Sequence, residues 1–203
     1  MKIPEATQEL PENYHQTDQF DLNQNRGLAM ILNLTGVGLL FGVGALFLEA
    51  LVWLRPAYVA SENILIIHGM REFWRGLLLL VVSVVLVILL REGVHGLVLW
   101  CLTKRLPKLG VRGMYTYAAA QGWYIPRRGY LWFAFTPLVV ITLLGIAAVT
   151  VVPLNFVPGV MLLVSLNFAL AVNDFATAYW LLRRPKDILI LDYGDGVKVY
   201  HHK

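Results

Sequence analysis

Residues Leu77–Leu102 read LLLLVVSVVLVILLREGVHGLVLWCL. This stretch is longer than the roughly 20 apolar residues that an α-helix needs to cross a bilayer. Three more stretches have a similar length and character: about Leu28–Leu54, Tyr130–Val152 and Pro158–Leu182. The sequence therefore predicts a polytopic membrane protein with about four transmembrane helices, called spans 1 to 4 here in chain order.

The composition of the 203-residue chain agrees with this prediction. Hydrophobic residues make up 58% of the chain and charged residues only 15%, whereas soluble domains carry roughly 25% charged residues. A polar tail precedes span 1, and span 1 is too long for the apolar region of a signal peptide. The single cysteine, Cys101, excludes an internal disulfide and a cysteine-based zinc site.

The basic residues predict an orientation. With four spans, the N-terminal tail, the loop between spans 2 and 3 and the C-terminal tail lie on one side. The opposite side holds only Arg55, Arg71 and Arg75. The positive-inside rule then predicts an inner-membrane protein with both termini in the cytoplasm. We read the basic composition as topology and contact with anionic lipid, and expect no nucleic-acid partner. The basic residues of the predicted cytoplasmic side are Lys2, Arg26, Lys104, Arg105, Lys108, Arg112, Arg127, Arg128, Arg183, Arg184, Lys186, Lys198 and Lys203.

Two segments outside the spans have strand character. Val111–Ile125 is rich in aromatic residues and broken by glycines, which favours a short β segment after span 2. Ile188–Asp192 and Val197–His201 flank Asp195-Gly196, a good signal for a C-terminal β-hairpin. The predicted fold class is thus mainly α, with a polar N-terminal tail (1–27), a transmembrane core (28–182) and a C-terminal strand pair (183–203).

Four ionisable residues lie well inside spans 2 and 4: Arg91, Glu92, His95 and Asp174. Charges inside a membrane are costly, so each is a candidate site residue. Spans 2 and 4 run in the same direction. Counted from the inner ends of the spans, Glu92 and Asp174 differ in depth by about 3 Å at 1.5 Å per residue. Arg91 and Glu92 share helix faces with His95.

Asn167 shares a face with Asp174 on span 4, and Asn173 lies beside it. We expect a polar cluster between spans 2 and 4, with two interpretations that periodicity leaves open. One is a metal site or a catalytic centre. The other is a buried ion pair of Arg91 with Asp174 or Glu92 that only fixes the two helices together.

The run Arg91-Glu92-Gly93-Val94-His95 resembles an HExxH motif that has lost its first histidine. Together with the basic aromatic segment Met114–Tyr124, Thr136-Pro137, Asn173-Asp174 and the strand pair 187–200, it resembles the putative zincin peptidase family. This is a bacterial group of membrane proteins of unknown function, similar to the site-2 intramembrane metalloproteases. The likeness runs from about Leu77 to Tyr200.

The resemblance implies roles for individual residues. His95 matches the second zinc-binding histidine, Glu92 the general base, and Asp174 the third ligand. Arg91 stands where the first histidine should be, and a guanidinium cannot ligate a metal. A missing ligand could come from Asn173, His68 or a partner. We therefore expect no cofactor in an inactive protein, and zinc in an active one.

Three functions follow as expectations. The first is a non-catalytic pseudopeptidase that binds or scaffolds another membrane protein, with Arg91 replacing the metal by pairing with Asp174 and Glu92. The second is an active zinc metallopeptidase, and the third is a small structural subunit of a larger membrane complex. The four glycines of span 1 indicate close helix packing, either within the chain or in a homo-oligomer. They are Gly36, Gly38, Gly42 and Gly44.

Overall fold

The long apolar stretches form helices long enough to cross a bilayer. The computed structural model describes residues 6–60, 69–105, 108–112, 115–119, 122–194 and 196–202, with the backbone alone at 23, 108–112 and 115–119. Within these ranges, four helical segments have the length and apolar composition of membrane spans. The predicted fold class, mainly α with four such segments, is confirmed. The first three segments and a short connecting helix are α1 (Arg26–Leu54), α2 (Pro56–Ala60), α3 (Met70–Thr103) and α4 (Arg127–Val151).

The last segment, Leu154–Leu182, differs from the single helix that the sequence predicts. A 3₁₀ turn leads into α5 (Val157–Leu170), and Ala171 separates α5 from α6 (Val172–Leu182). The amide of Ala171 donates to the carbonyls of Asn167 and Phe168, at 3.1 and 3.2 Å. These bonds close the last turn of α5.

The chain divides into two compact units. The first, called the sheet unit, comprises Met1–Asn33, Glu92–Pro137 and Asn173–Lys203. It holds a four-stranded antiparallel sheet in the order β1-β6-β5-β4 and a two-stranded sheet of β2 and β3. The strands are β1 (Tyr14–Asp21), β2 (Lys108–Arg112), β3 (Tyr115–Ala119), β4 (Tyr124–Pro126), β5 (Leu189–Asp192) and β6 (Gly196–His202).

The β5–β6 pair confirms the predicted C-terminal hairpin. Its register pairs Leu189 with Tyr200, and the amide of Tyr193 donates to the carbonyl of Gly196 at 3.1 Å. Side chains on one face of the sheet enter a core shared with the ends of the helices. The buried members of this core are Leu99, Ile125, Tyr130, Phe133, Leu181, Ile188, Ile190, Val197 and Val199.

Strand β1 lies in the polar N-terminal tail, for which the sequence predicts no strand. It pairs along its length with β6, with a register shift between Gln16 and Asp18. Two aromatic residues attach it to the rest of the sheet unit. The Tyr14 hydroxyl donates to the carbonyl of Asp187 at 3.1 Å, and the Phe20 ring lies 5.3 Å from that of Trp180.

The second unit, called the helical unit, comprises Leu34–Arg91 and Leu138–Val172. In it, α1 packs closely on α5. A Cβ added to Gly36 would lie 3.0 Å from the carbonyl oxygen of Ala169, and one added to Gly44 would lie 3.5 Å from Ser165 Oγ. Close packing through these two glycines is therefore internal. The buried core of this unit is Phe47, Leu51, Tyr58, Val149, Val157 and Val164.

Candidate functional site

Helix α3 carries three of the candidate site residues. Arg91 and His95 lie one helical turn apart and are each only 7% exposed, while Glu92 between them is half-buried. The run before Arg91 consists of leucine, valine and isoleucine apart from Ser83, and a helix keeps its hydrogen bonds within the segment, as a bilayer requires. The two buried polar side chains, Arg91 and His95, belong to different units.

In the helical unit, Arg91 contacts Asn167 near the end of α5. Its Nη1 donates to Asn167 Oδ1 at 3.1 Å and to the Asn167 carbonyl oxygen at 3.3 Å. Asn167 is completely buried, and its Nδ2 donates to the carbonyl of Leu138 at 3.3 Å. Arg91 therefore places a fixed positive charge near the C-terminal end of α5, where the helix dipole favours a cation.

In the sheet unit, His95 approaches Asp174. The distance from His95 Nε2 to Asp174 Oδ2 is 4.0 Å, which is longer than a hydrogen bond. The imidazole also packs edge-to-face on Phe133, with ring centroids 4.2 Å apart. Asp174 lies in the first turn of α6, where the helix dipole stabilises a carboxylate. The structure thus brings together His95 and Asp174, two side chains that could ligate a metal.

Comparison with protein families provides the identification. A family model described as "Putative zincin peptidase" matches residues 84–189. This range is slightly more than half of the chain and includes every ionisable residue of the candidate site. The chain belongs to the putative zincin peptidase family. No curated protein and no solved structure matches the chain.

The family description implies a zinc site, so we tested whether the residues of this zincin-family chain fit one. Among the described residues, no group of three or more His, Cys, Asp or Glu side chains is arranged to hold a metal ion. Catalytic zinc normally has three protein ligands, and His95 with Asp174 supplies two. The position of the first motif histidine holds Arg91, which carries no lone pair to donate. The described residues therefore do not fit a three-ligand zinc centre.

The other predicted site residues have clear places. Asn173 is exposed at the start of α6, and its carbonyl accepts a bond from the Thr177 hydroxyl at 3.0 Å. His68, the other candidate for a missing ligand, lies outside the described residues. The predicted ion pair of Arg91 with Asp174 or Glu92 stays a prediction.

Sequence reasoning missed three groups around these residues. Phe133 and the Leu138 carbonyl come from span 3, and neither a phenyl ring nor a main-chain oxygen gives a polar signal in an apolar helix. The third is Asp192 at the end of β5. Its Oδ2 accepts from the Tyr130 hydroxyl at 2.9 Å and its Oδ1 from the Gly194 amide at 2.8 Å. Desolvation raises the pKa of the Asp192 carboxyl, and these two bonds oppose the rise.

Proposed function

We propose that this zincin-family membrane protein does not hydrolyse peptide bonds and instead binds or scaffolds another membrane protein. The observation that carries the first half of the proposal is the position and bonding of Arg91. Its guanidinium replaces an imidazole at the first motif position and is bound to Asn167. A cation fixed one helical turn from His95 would oppose the binding of a second cation such as zinc.

The same contact explains how the helices could keep their arrangement without a metal. In a metallopeptidase the ion holds ligands from two helices together. Here a charge-assisted hydrogen bond from α3 to the end of α5 joins two helices, and Asn167 extends the contact to Leu138 on α4. The inactive protein would therefore stay folded.

The binding half of the proposal is supported by the hairpin after α3. In the described part of the chain, β2 and β3 pair only with each other. A two-stranded ribbon leaves backbone donors and acceptors along its outer edges, and an extended segment of a partner can add to such an edge as a further strand. An unfolded stretch of another membrane protein is the partner that this mode would accept.

Elemental analysis of the detergent-purified protein tests the catalytic half. We expect no stoichiometric zinc in the wild-type protein after exposure to zinc and gel filtration. About one zinc per chain, lost in Asp174→Ala, would refute the proposal. Arg91→His completes the motif by sequence, and gain of zinc by that variant alone would support the replacement of a metal site by Arg91.

Photo-crosslinking in native membranes tests the binding half. A photoreactive amino acid at Thr116 in β3 should give a discrete adduct, whereas the same group at Gln16 in β1 should not. Equal labelling from both positions, or none from Thr116, would contradict partner binding at the hairpin.

Fusions of reporter enzymes to each terminus test our further proposal that both termini lie on the cytoplasmic side of the inner membrane.

An active zinc metallopeptidase is the second candidate. It is favoured by the 4.0 Å approach of His95 Nε2 to Asp174 Oδ2, and by Glu92, a possible general base, on the same helix. It requires a further ligand from Asn173, His68 or a partner. Zinc retained by the wild-type protein, with peptidase activity lost in Glu92→Gln, would establish this candidate in place of the first.

A further inference from the structure

Three helices share one arrangement at the end of the spans that adjoins the sheet. Near that end each helix exposes an aromatic side chain. An exposed cation lies four residues from the aromatic residue, on the side toward the sheet. The aromatic residues are 50%, 64% and 58% exposed, in the order of the pairs, and the cations are exposed as well. The pairs are Trp100 on α3 with Lys104 just after that helix, Arg128 and Trp132 on α4, and Tyr179 on α6 with Arg183 just after that helix.

The order within each pair is the same relative to the bilayer. Helix α4 runs away from the sheet, so its cation precedes its aromatic residue, whereas α3 and α6 run toward the sheet and have the reverse order. In every case the aromatic ring lies one turn deeper than the cation. In a bilayer the lipid phosphates lie outermost, followed by the glycerol groups and then the acyl chains. Aromatic rings favour the layer between the phosphates and the acyl chains, so each pair matches the order of a lipid headgroup.

Neighbouring arginines separate an internal role from an external one. Arg127 Nη1 donates to the carbonyl of Arg184 at 2.5 Å, and the Arg184 guanidinium pairs with Asp18 and lies 4.6 Å from the Trp180 ring. Arg128 and Arg183, next to them in sequence, are exposed instead. Arg127 and Arg184 therefore make the internal contacts, and their sequence neighbours Arg128 and Arg183 point outward.

Three acidic residues in the described part of the sheet unit contact residues other than these outward cations. Asp18 pairs with Arg184, Asp187 lies 3.3 Å from His201, and Asp192 accepts from Tyr130. The Arg183 guanidinium lies 4.5 Å from the Tyr179 ring and donates to its hydroxyl. This contact holds one cation next to the ring where a headgroup would meet it.

On α3 the pair lines a surface concavity together with Cys101. Helix α3 ends at Thr103, and Lys104 follows in the left-handed conformation, with φ of 56°. Its amide still donates to the carbonyl of Trp100 at 2.8 Å, which fixes the backbone of the cation relative to the ring. The concavity offers an ammonium group beside an indole at the level of the membrane surface.

We propose that these three aromatic–cation pairs form binding sites for anionic phospholipids, with the cations on the headgroup phosphate and the rings against the glycerol region. Charge complementarity and the shared order of cation and ring identify the occupant. This inference is independent of whether the protein is a peptidase or a scaffold, because it uses none of the residues of the candidate metal site.

Native mass spectrometry of the full chain in non-ionic detergent tests the proposal. Dioleoyl-phosphatidylglycerol and dioleoyl-phosphatidylcholine are titrated separately, and the ratio of their dissociation constants gives the preference for the anionic headgroup. In the double variant Arg128→Gln/Arg183→Gln, we expect each cation removed to reduce this ratio about fivefold. The matched control, Arg71→Gln/Arg75→Gln, removes two exposed arginines from the other end of α3 and should keep it.

Equal affinity of the wild-type protein for the two lipids would overturn the proposal, as would an equal loss in the control variant. Displacement of phosphatidylglycerol by millimolar inorganic phosphate would assign the sites to free anions and also overturn it. A measurement on the unaltered protein guards against misfolded variants: raising the salt concentration should reduce the preference of the wild-type chain, because exposed charges are screened. A preference that does not respond to salt would contradict the charge-based account.

Discussion

Replacing Arg91 by alanine should destabilise the protein strongly even though alanine suits a helix. The variant loses both hydrogen bonds from Nη1 to Asn167 and leaves a completely buried amide oxygen without that donor. Hydrogen bonds from a charged group contribute about 1.5–3 kcal/mol each. Two of them give about 3–6 kcal/mol, and polar contacts in membranes fall toward the lower end because the unfolded chain also finds partners. We expect a loss of about 3 kcal/mol.

The assay is unfolding by dodecyl sulfate in mixed micelles, followed by tryptophan fluorescence. Leu90→Ala is the matched control, since Leu90 precedes Arg91 on α3 and is 38% exposed. It should lose less than about 1 kcal/mol, because a lipid-facing side chain leaves no cavity in the protein. A loss below about 1 kcal/mol for Arg91→Ala would refute the account of Arg91 as the cation that stabilises the end of α5.

A double-mutant cycle with Asn167→Ala separates this contact from other effects of the substitution. If the two side chains interact as the structure indicates, the sum of the stability losses of the two single variants will exceed the loss of the double variant by about 1–3 kcal/mol. Additive effects would mean that Arg91 acts through different partners, among them the predicted carboxylates of Glu92 and Asp174. The cycle therefore distinguishes capping of α5 from the ion pair that the sequence suggests.

Two more substitutions test packing and protonation. Gly145→Ala would place a Cβ 2.2 Å from Val164 Cγ2 and should cost about 1–3 kcal/mol of stability in the same assay. The control Gly42→Ala has no described atom within 4 Å of the added carbon and should be near neutral. Equal costs for the two variants would refute close packing of α4 on α5. Desolvation raises the pKa of the Asp192 carboxyl in the folded protein. The protonated carboxyl therefore contributes its full stability below the pKa of the unfolded chain, about 3.9. This contribution is lost as the pH rises through the folded pKa. Asp192→Asn should therefore gain stability relative to the wild-type protein as the pH increases from about 4, and parallel pH profiles of the two proteins would contradict the raised pKa.

The spans could be predicted because each depends on one strong signal, a long apolar run. The same holds for the C-terminal hairpin, where alternating apolar residues flank a turn. Strand β1 lacks such a signal, since its sequence YHQTDQFD is polar apart from Tyr14 and Phe20. Its pairing is specified by β6, about 180 residues away in the chain, which no local pattern can report.

The break at Ala171 was missed for a related reason. No proline or glycine marks it, and alanine is a good helix former. The candidate site was predictable in part, since depth along parallel helices indicated that His95 and Asp174 should be neighbours. The contact of Arg91 with Asn167 could not be predicted in the same way, because a carboxylate is the partner that a sequence suggests for a guanidinium.

The broken last span also has a consequence for how the protein enters the membrane. At 1.5 Å per residue, α5 (14 residues) and α6 (11 residues) are about 21 and 17 Å long, so neither alone crosses a hydrocarbon layer of about 30 Å. They must be inserted as one unit, although that unit is the least hydrophobic of the four spans and contains Asn167, Asn173 and Asp174. Translation delivers α3 first, so Arg91 is synthesised before this segment. The order of synthesis thus supplies the donor to Asn167 before the span that contains that residue.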